Sequence, residues 1–228
     1  CIFARKNENR AKMKKLRTSE VIQQVAADLF RKFGFEKTSM DEIARKAHKA
    51  KRSIYNHFSN KEDLFCASVK SELTHVRSAL IAVVEDDSQR ILPRLKQYLL
   101  LRMELLSEAS TLRVAMKSNM LNRDDYGFEN LKKMLDDFNQ WEHQAFKKVW
   151  YAKPSDEQPE IVEQQAVAFA DMLQVTLNGL SHSFFVEDKY EQYKSSYEML
   201  IDLIVNSVFQ SFVSKYGIEG DMQRINVD

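Results

Sequence analysis

Residues 38–61 read TSMDEIARKAHKAKRSIYNHFSNK, and the fold turns on this stretch. Met40, Ile43, Ala44 and Ala47 fall three and four apart, which places them on one face of a short helix. Thr38 can cap that helix, with Asp41 three residues on completing a capping-box arrangement around the first turn. Beyond a turn near His48, a further helix runs from about Ala50 to Phe58, with Ile54 and Phe58 on its inner side. Its exposed residues are then Lys51, Arg52, Ser53, Tyr55 and His57. Ser59 and Asn60, followed by Glu62 and Asp63, mark the start of the next helix, which continues to around Val84. Upstream, Ile22, Val25, Ala26, Leu29, Phe30 and Phe33 share one helical face, and Gly34 ends that helix as a C-terminal cap. Three compact helices joined by turns of a few residues make a helix-turn-helix.

The rest of the chain agrees with a helical plan. Its 228 residues contain only 5 Gly and 3 Pro, too few for sandwiches, barrels or alternating βα folds, which need a turn every ten residues or so. With 29% charged and 44% hydrophobic residues, the composition suits amphipathic helices packed around cores and not intrinsic disorder. From residue 88 on, further helices are expected at about 89–108, near 111–120, near 125–151, and at about 159–185 and 189–216. Breaks are expected at Asp86-Asp87, around Asn122 to Asp125, at Lys153 to Pro159 and at Glu187-Asp188. The predicted fold is all-α. A basic flexible arm (1–17) leads into a three-helix helix-turn-helix domain (18–62), followed by a larger helical domain (63–228).

The formal charge of +1 hides a division along the sequence. Residues 1–61 hold sixteen Lys or Arg against six acids, a net +10, while the remainder holds eighteen against twenty-seven, a net −9. Such an asymmetry is expected when one end meets a polyanion. The N-terminal face of the helix from Ala50 is left free by its neighbour, and a helix in this setting fits the major groove with its first-turn side chains at base edges. Lys51, Arg52 and Ser53 are donor-rich side chains in that place. Thr38, Ser39, Tyr55, His57 and Lys61 are suited to phosphate, Thr38 and Ser39 at one helix N-terminus and Lys61 at another. In the arm, Arg5, Lys6, Arg10, Lys12, Lys14, Lys15 and Arg17 are expected to lie along the minor groove or phosphates and add sequence-independent affinity.

The run from Ile22 to Leu64, with Ala26, Leu29-Phe30, Gly34-Phe35, Thr38-Ser39, Ile43-Ala44, Ala47, Ile54-Tyr55, His57-Phe58 and Lys61, resembles the DNA-binding domain of the TetR family of bacterial transcription regulators. Tyr-x-His-Phe-x-x-Lys, here Tyr55 to Lys61, is its most recognisable piece. The resemblance implies a helical homodimer on a pseudo-palindromic operator, usually a repressor, released when a small molecule enters the C-terminal domain. By position it gives bases to Lys51, Arg52 and Ser53, and phosphates to Thr38, Tyr55, His57 and Lys61. One departure stands out: where the family usually has Gly after the Ala of the turn, this chain has His48. Residues other than Gly tolerate positive φ poorly, so a strained or reshaped turn is expected there.

The C-terminal part carries no comparable signature. Long apolar stripes, Val162, Ala166, Phe169, Ala170, Leu173, Leu177, Leu180 and Phe184, then Leu200, Leu203, Ile204, Val208 and Phe212, occupy its last two helices. In the resembled family these two helices pair with their copies, so a homodimer is expected, which also suits two reading helices on successive major grooves. Met103, Met116, Met120, Phe128, Met134, Phe138, Phe146, Trp150 and Met172 make the intervening region dense in pliable apolar groups. The candidate effector site has Trp141 and Phe169 as walls and His143, Asn178 and His182 as polar groups, for a largely apolar ligand. Met and aromatic side chains at helical spacing equally describe plain core.

Other functions leave no trace. No His-Glu-x-x-His pair, metal-spaced Cys/His cluster, Gly-rich phosphate loop or Gly-flanked Ser occurs, so neither an enzyme nor a metal or other cofactor is expected. Glu142 and His143, as neighbours, lie on different sides of a helix and do not form an acid/base pair. A helical enzyme and an effector-less DNA-binding protein that recruits partners are the alternatives. Cys1 and Cys66 are too few for a disulfide framework, which points to a reducing cytoplasm. No stretch of about 18 apolar residues indicates a membrane span. The basic, polar start does not resemble a secretory signal, and Cys1 in place of Met reads as a trimmed start.

Overall fold

The structure is a computed structural model that describes the backbone of residues 2–86, 88–89, 91–118, 128–151 and 159–216, and side chains over 17–86, 88–89, 92–118, 128–150 and 160–207. Every regular element among these residues is helical, as the sequence predicts: α1 (Ile2–Lys37), α2 (Met40–Lys46), α3 (Lys51–Tyr55), α4 (Lys61–Val84), α5 (Ile91–Glu108), α6 (Ser110–Lys117), α7 (Glu129–Tyr151), α8 (Pro159–Ser181), α9 (Tyr190–Tyr193) and α10 (Tyr197–Tyr216). The breaks expected at Asp87 and Asn122 to Asp125, most of that at Lys153 to Pro159, and Met120 lie outside the described residues. The chain divides into two compact units, residues 1–75 with 106–136 and residues 76–105 with 137–228. Within the first unit α6 packs against α1.

In the first unit, Ile22, Ala26 and Phe30 of α1 are fully buried, as their spacing predicts. Phe33, placed on the same face by periodicity, is instead exposed. Gly34 takes φ 80 and ψ 168, a conformation open to glycine, and the chain turns away there. That reversal carries Phe35 into the core in place of Phe33. Phe35 meets Phe30, Phe65 and Phe128 with ring centroids 5.7, 5.1 and 5.2 Å apart. A fully buried ring of this size contributes about 1.5–3 kcal/mol, so the four rings are a large part of what holds the unit together.

The arm is a second difference. Backbone helix extends without interruption from Ile2 into α1, where a flexible tail is expected from the density of positive charge. Ala, Met, Leu, Lys, Arg and Glu are strong helix formers, and no Gly or Pro precedes Gly34 to stop the helix propagating. The arm's side chains up to residue 16 lie outside the described residues.

The second unit is a helical bundle with Leu95, Leu99 and Met103 of α5, Phe146 and Trp150 of α7, Phe169, Leu173 and Leu177 of α8, and Ile201 and Val205 of α10 in its core. On α10 the inner stripe is Tyr197, Ile201 and Val205, while Leu203 of the predicted stripe is exposed. The side chains of Val208 and Phe212 lie outside the described residues. After α8 the helix widens over His182–Val186 and ends at Asp188, whose φ of 63 marks the break predicted at Glu187-Asp188.

Candidate nucleic-acid interface

Three local devices set the interface. Ser39, and not Thr38, caps α2, its hydroxyl accepting from the Glu42 N–H at 3.2 Å. Thr38 is buried, and its hydroxyl donates to the Gly34 carbonyl at 2.8 Å. The side-chain cap thus falls one residue later than the spacing Thr38 to Asp41 implies, the Thr38 hydroxyl being bonded to the Gly34 carbonyl instead. The α2–α3 turn places His48 at φ 51. The turn thus takes a left-handed residue without a glycine, at the cost that a side chain incurs in that region, roughly 1–2 kcal/mol. At α4, Asn60 Oδ1 accepts from the Asp63 N–H at 2.6 Å and the Asp63 carboxylate accepts from the Ser59 N–H at 2.8 Å, at the helix start that the sequence predicts.

These devices arrange the predicted contacts unequally. Arg52 and Tyr55 are exposed on α3, and Ser53 and His57 are half-buried. Arg52 has no ion-pair partner among the described residues. Lys51 is exposed but engaged: its Nζ lies 2.7 and 3.1 Å from the two oxygens of Asp41 on α2. Hydrogen bonding to Asp41, with its charge, holds the Lys51 ammonium above its ordinary pKa. Lys61 Nζ donates to the Phe35 carbonyl at 2.9 Å and sits 4.2 Å above the Phe35 ring. Ser39, Asp41, Lys51, Tyr55, Asn60 and Lys61 line one open hollow. Thr38 also lines it, buried, with its hydroxyl proton committed to the Gly34 carbonyl. Sequence reasoning missed Asp41 as Lys51's partner, since a ten-residue separation carries no helical periodicity.

Residues 22–67 match the family model of bacterial regulatory proteins, tetR family. This segment is a tetR-family domain. Fold similarity extends well beyond it. A transcriptional regulator from Aquifex aeolicus superposes with a TM-score of 0.56 at 19% identity over 75% of this chain and 88% of its own. FadR from Bacillus subtilis, solved with stearoyl-CoA, gives 0.51 at 15% identity over 86% and 97%. AibR, solved with isovaleryl coenzyme A and operator DNA, gives 0.53 at 18% identity over 74% and 85%. At these identities the likeness is one of fold.

Outside the tetR-family domain, the five candidate effector residues do not gather at one place. Phe169 is buried against Trp150, rings 5.0 Å apart. Trp141 is half-buried, with the Arg77 guanidinium 5.1 Å from its ring centroid. His143 Nε2 pairs with exposed Asp171 at 2.9 Å, and Asn178 and His182 are exposed. The polar groups inside the second unit are others. Glu142, fully buried, receives Arg102 Nε at 2.5 Å and Nη2 at 3.2 Å, Tyr98 Oη at 2.7 Å and Gln174 Nε2 at 3.1 Å. Arg102 Nη1 also donates to Ser181 Oγ at 3.0 Å. A signal for this centre exists in the sequence: Glu142 falls midway between Phe138 and Phe146, and Arg102 midway between Tyr98 and Leu106, each a charge on an apolar stripe.

Elsewhere, burial and then Asp63 and Glu62 push the Cys66 thiol up to about 11, which keeps it protonated and unreactive. Among the described residues no three His, Cys, Asp or Glu side chains gather as metal ligands, and no helix is long and apolar enough to cross a membrane.

Proposed function

We propose that this protein is a cytoplasmic transcriptional repressor that binds a pseudo-palindromic operator as a homodimer and releases it when a largely apolar small molecule enters the second unit. The observation that carries the DNA-binding part is the tetR-family match over residues 22–67, on helices that leave Arg52 and Tyr55 outward with Lys51 and Lys61 around one hollow. Lys51, Arg52 and Ser53 read base edges, while Ser39, Tyr55, His57 and Lys61 hold phosphates. The homodimer is supported by apolar groups without cover in a single chain: Met172 and Val175 on α8 are 46% and 73% exposed, and Met199 and Leu203 on α10 are 64% and 59% exposed. Asn178, exposed three residues after Val175, then belongs to the dimer face better than to an effector site.

An apolar effector is supported by the bundle's aromatic interior and by the acyl-CoA ligands of the FadR and AibR structures. Binding would act by population shift, limited by the effector's difference in affinity between the operator-competent shape and the other. Selection of bound duplexes from a random pool tests the reading: a palindrome with half-sites about one helical turn apart is expected. Recovery of no preferred sequence would reject it. Light scattering at micromolar concentration should give a dimer, and a monomer would remove the symmetric part.

A further inference from the structure

Among the acid–base pairs of the described residues on α1 to α3, that of Asp41 with Lys51 differs from those of Asp28 with Arg31 and Glu42 with Arg45. Asp28 and Arg31, 3.2 Å apart, and Glu42 and Arg45, 4.0 Å apart, are neighbours one turn along a single helix. Asp41 instead reaches from α2 to Lys51 on α3, ten residues away, with both carboxylate oxygens within 3.1 Å of one ammonium. Lys51 opens α3, and both side chains are exposed on the hollow that faces nucleic acid in the function proposed above.

An unrestrained lysine in that place would be an indiscriminate ligand for phosphate, since its flexible stem carries a point charge to whichever oxygen lies nearest. A carboxylate beside it competes with phosphate for the ammonium and repels the DNA backbone, on every sequence alike. The same carboxylate leaves the third ammonium N–H free for a base acceptor such as guanine O6 or N7. Discrimination between sequences gains from a group that penalises the wrong complex as much as from one that favours the right one.

We propose that Asp41 is a specificity-determining residue, which withholds Lys51 from phosphate on random DNA and fixes its ammonium for base reading in the operator. This rests on the operator-binding function above. The test compares Asp41→Asn with the unaltered full-length protein on a selected operator duplex and on a random duplex of equal length, by fluorescence anisotropy between 50 and 200 mM salt. One additional phosphate contact steepens the slope of log K against log salt by about 0.9, which corresponds to about 3.5-fold in affinity across that fourfold salt range. Asp41→Asn should steepen the random-DNA slope by about that amount and lower the ratio of operator to random affinity at least threefold. Combining it with Lys51→Met should abolish the steepening. Asp28→Asn, with the same change of net charge, should leave the ratio as it was.

A ratio lowered less than threefold, a steepening that survives Lys51→Met, or an equal effect from Asp28→Asn would each overturn the proposal. If the unaltered protein prefers no sequence, operator binding itself falls and Asp41's role with it. If it does prefer one and Asp41→Asn keeps the ratio, Asp41's role alone falls.

Discussion

Replacing Glu142 with Gln should cost this protein a large share of its stability. The Glu142 carboxylate is fully buried and receives four hydrogen bonds, two of them from the side-on guanidinium of Arg102, itself 3% exposed. Gln keeps the shape and one oxygen but removes the anion. Arg102 then retains Ser181 Oγ and an amide, neither of which carries countercharge. Leaving one member of a buried pair uncompensated costs about 3–5 kcal/mol, against a total stability of about 5–15 kcal/mol for a typical protein. Arg102→Met with Glu142→Leu removes both charges but leaves the buried Tyr98 and Ser181 hydroxyls without these partners, so the double variant should be more stable than Glu142→Gln and less stable than the parent. Urea denaturation followed by far-UV circular dichroism reads the difference as a lowered midpoint at constant slope. Should Glu142→Gln unfold within 1 kcal/mol of the parent, the pair is not desolvated as its burial implies and the reasoning fails.

Further expectations concern the other unit and the interface. His48→Gly should stabilise by about 0.5–1 kcal/mol, the relief of left-handed strain less glycine's backbone entropy, and a destabilised variant in thermal melts would show that the turn is not strained. Glu72 on α4 accepts the Thr111 and Leu112 N–H groups at 3.0 and 2.8 Å and so caps α6, whose own N-cap Ala109 offers no side chain. Burial holds its carboxyl above the usual range against the pull of those N–H groups. With the folded-state pKa above the unfolded one, that linkage favours folding fully below about pH 4.3 and is lost as pH rises through the raised value. The stability margin of the parent over Glu72→Gln should therefore shrink over that rise, and a margin that widens would contradict it. Arg52→Ala should weaken operator binding and relax base preference at one position, whereas Tyr55→Phe and Lys61→Ala should weaken operator and random DNA alike, Lys61→Ala with a salt slope shallower by about one. Equal losses on both duplexes from Arg52→Ala would take it out of base reading. Deleting residues 1–16 should lower mean helicity and flatten the salt dependence of binding, and an unchanged slope would leave the helical arm without a role on DNA.

The order of the helices, most of their ends and the position of α3 could be read from the sequence. Those features depend on interactions between residues a few positions apart: the 3.6-residue spacing, the Asn60–Asp63 cap, the positive φ at Gly34 and at His48. What required tertiary structure was every feature that depends on residues brought together across the chain. Gly34's reversal exchanged Phe33 for Phe35 in the core, although Phe33 has the right spacing to serve as predicted, and it engaged the Thr38 hydroxyl with the Gly34 carbonyl. His143, Asn178 and His182 have the chemistry of a polar pocket, yet His143 pairs with exposed Asp171 and the other two are exposed, while Glu142 is the group the bundle encloses. Periodicity gives each helix an apolar face but not its orientation relative to another helix's face, so the pairing of Arg102 with Glu142, forty residues apart, and of Lys51 with Asp41 was decided by packing alone.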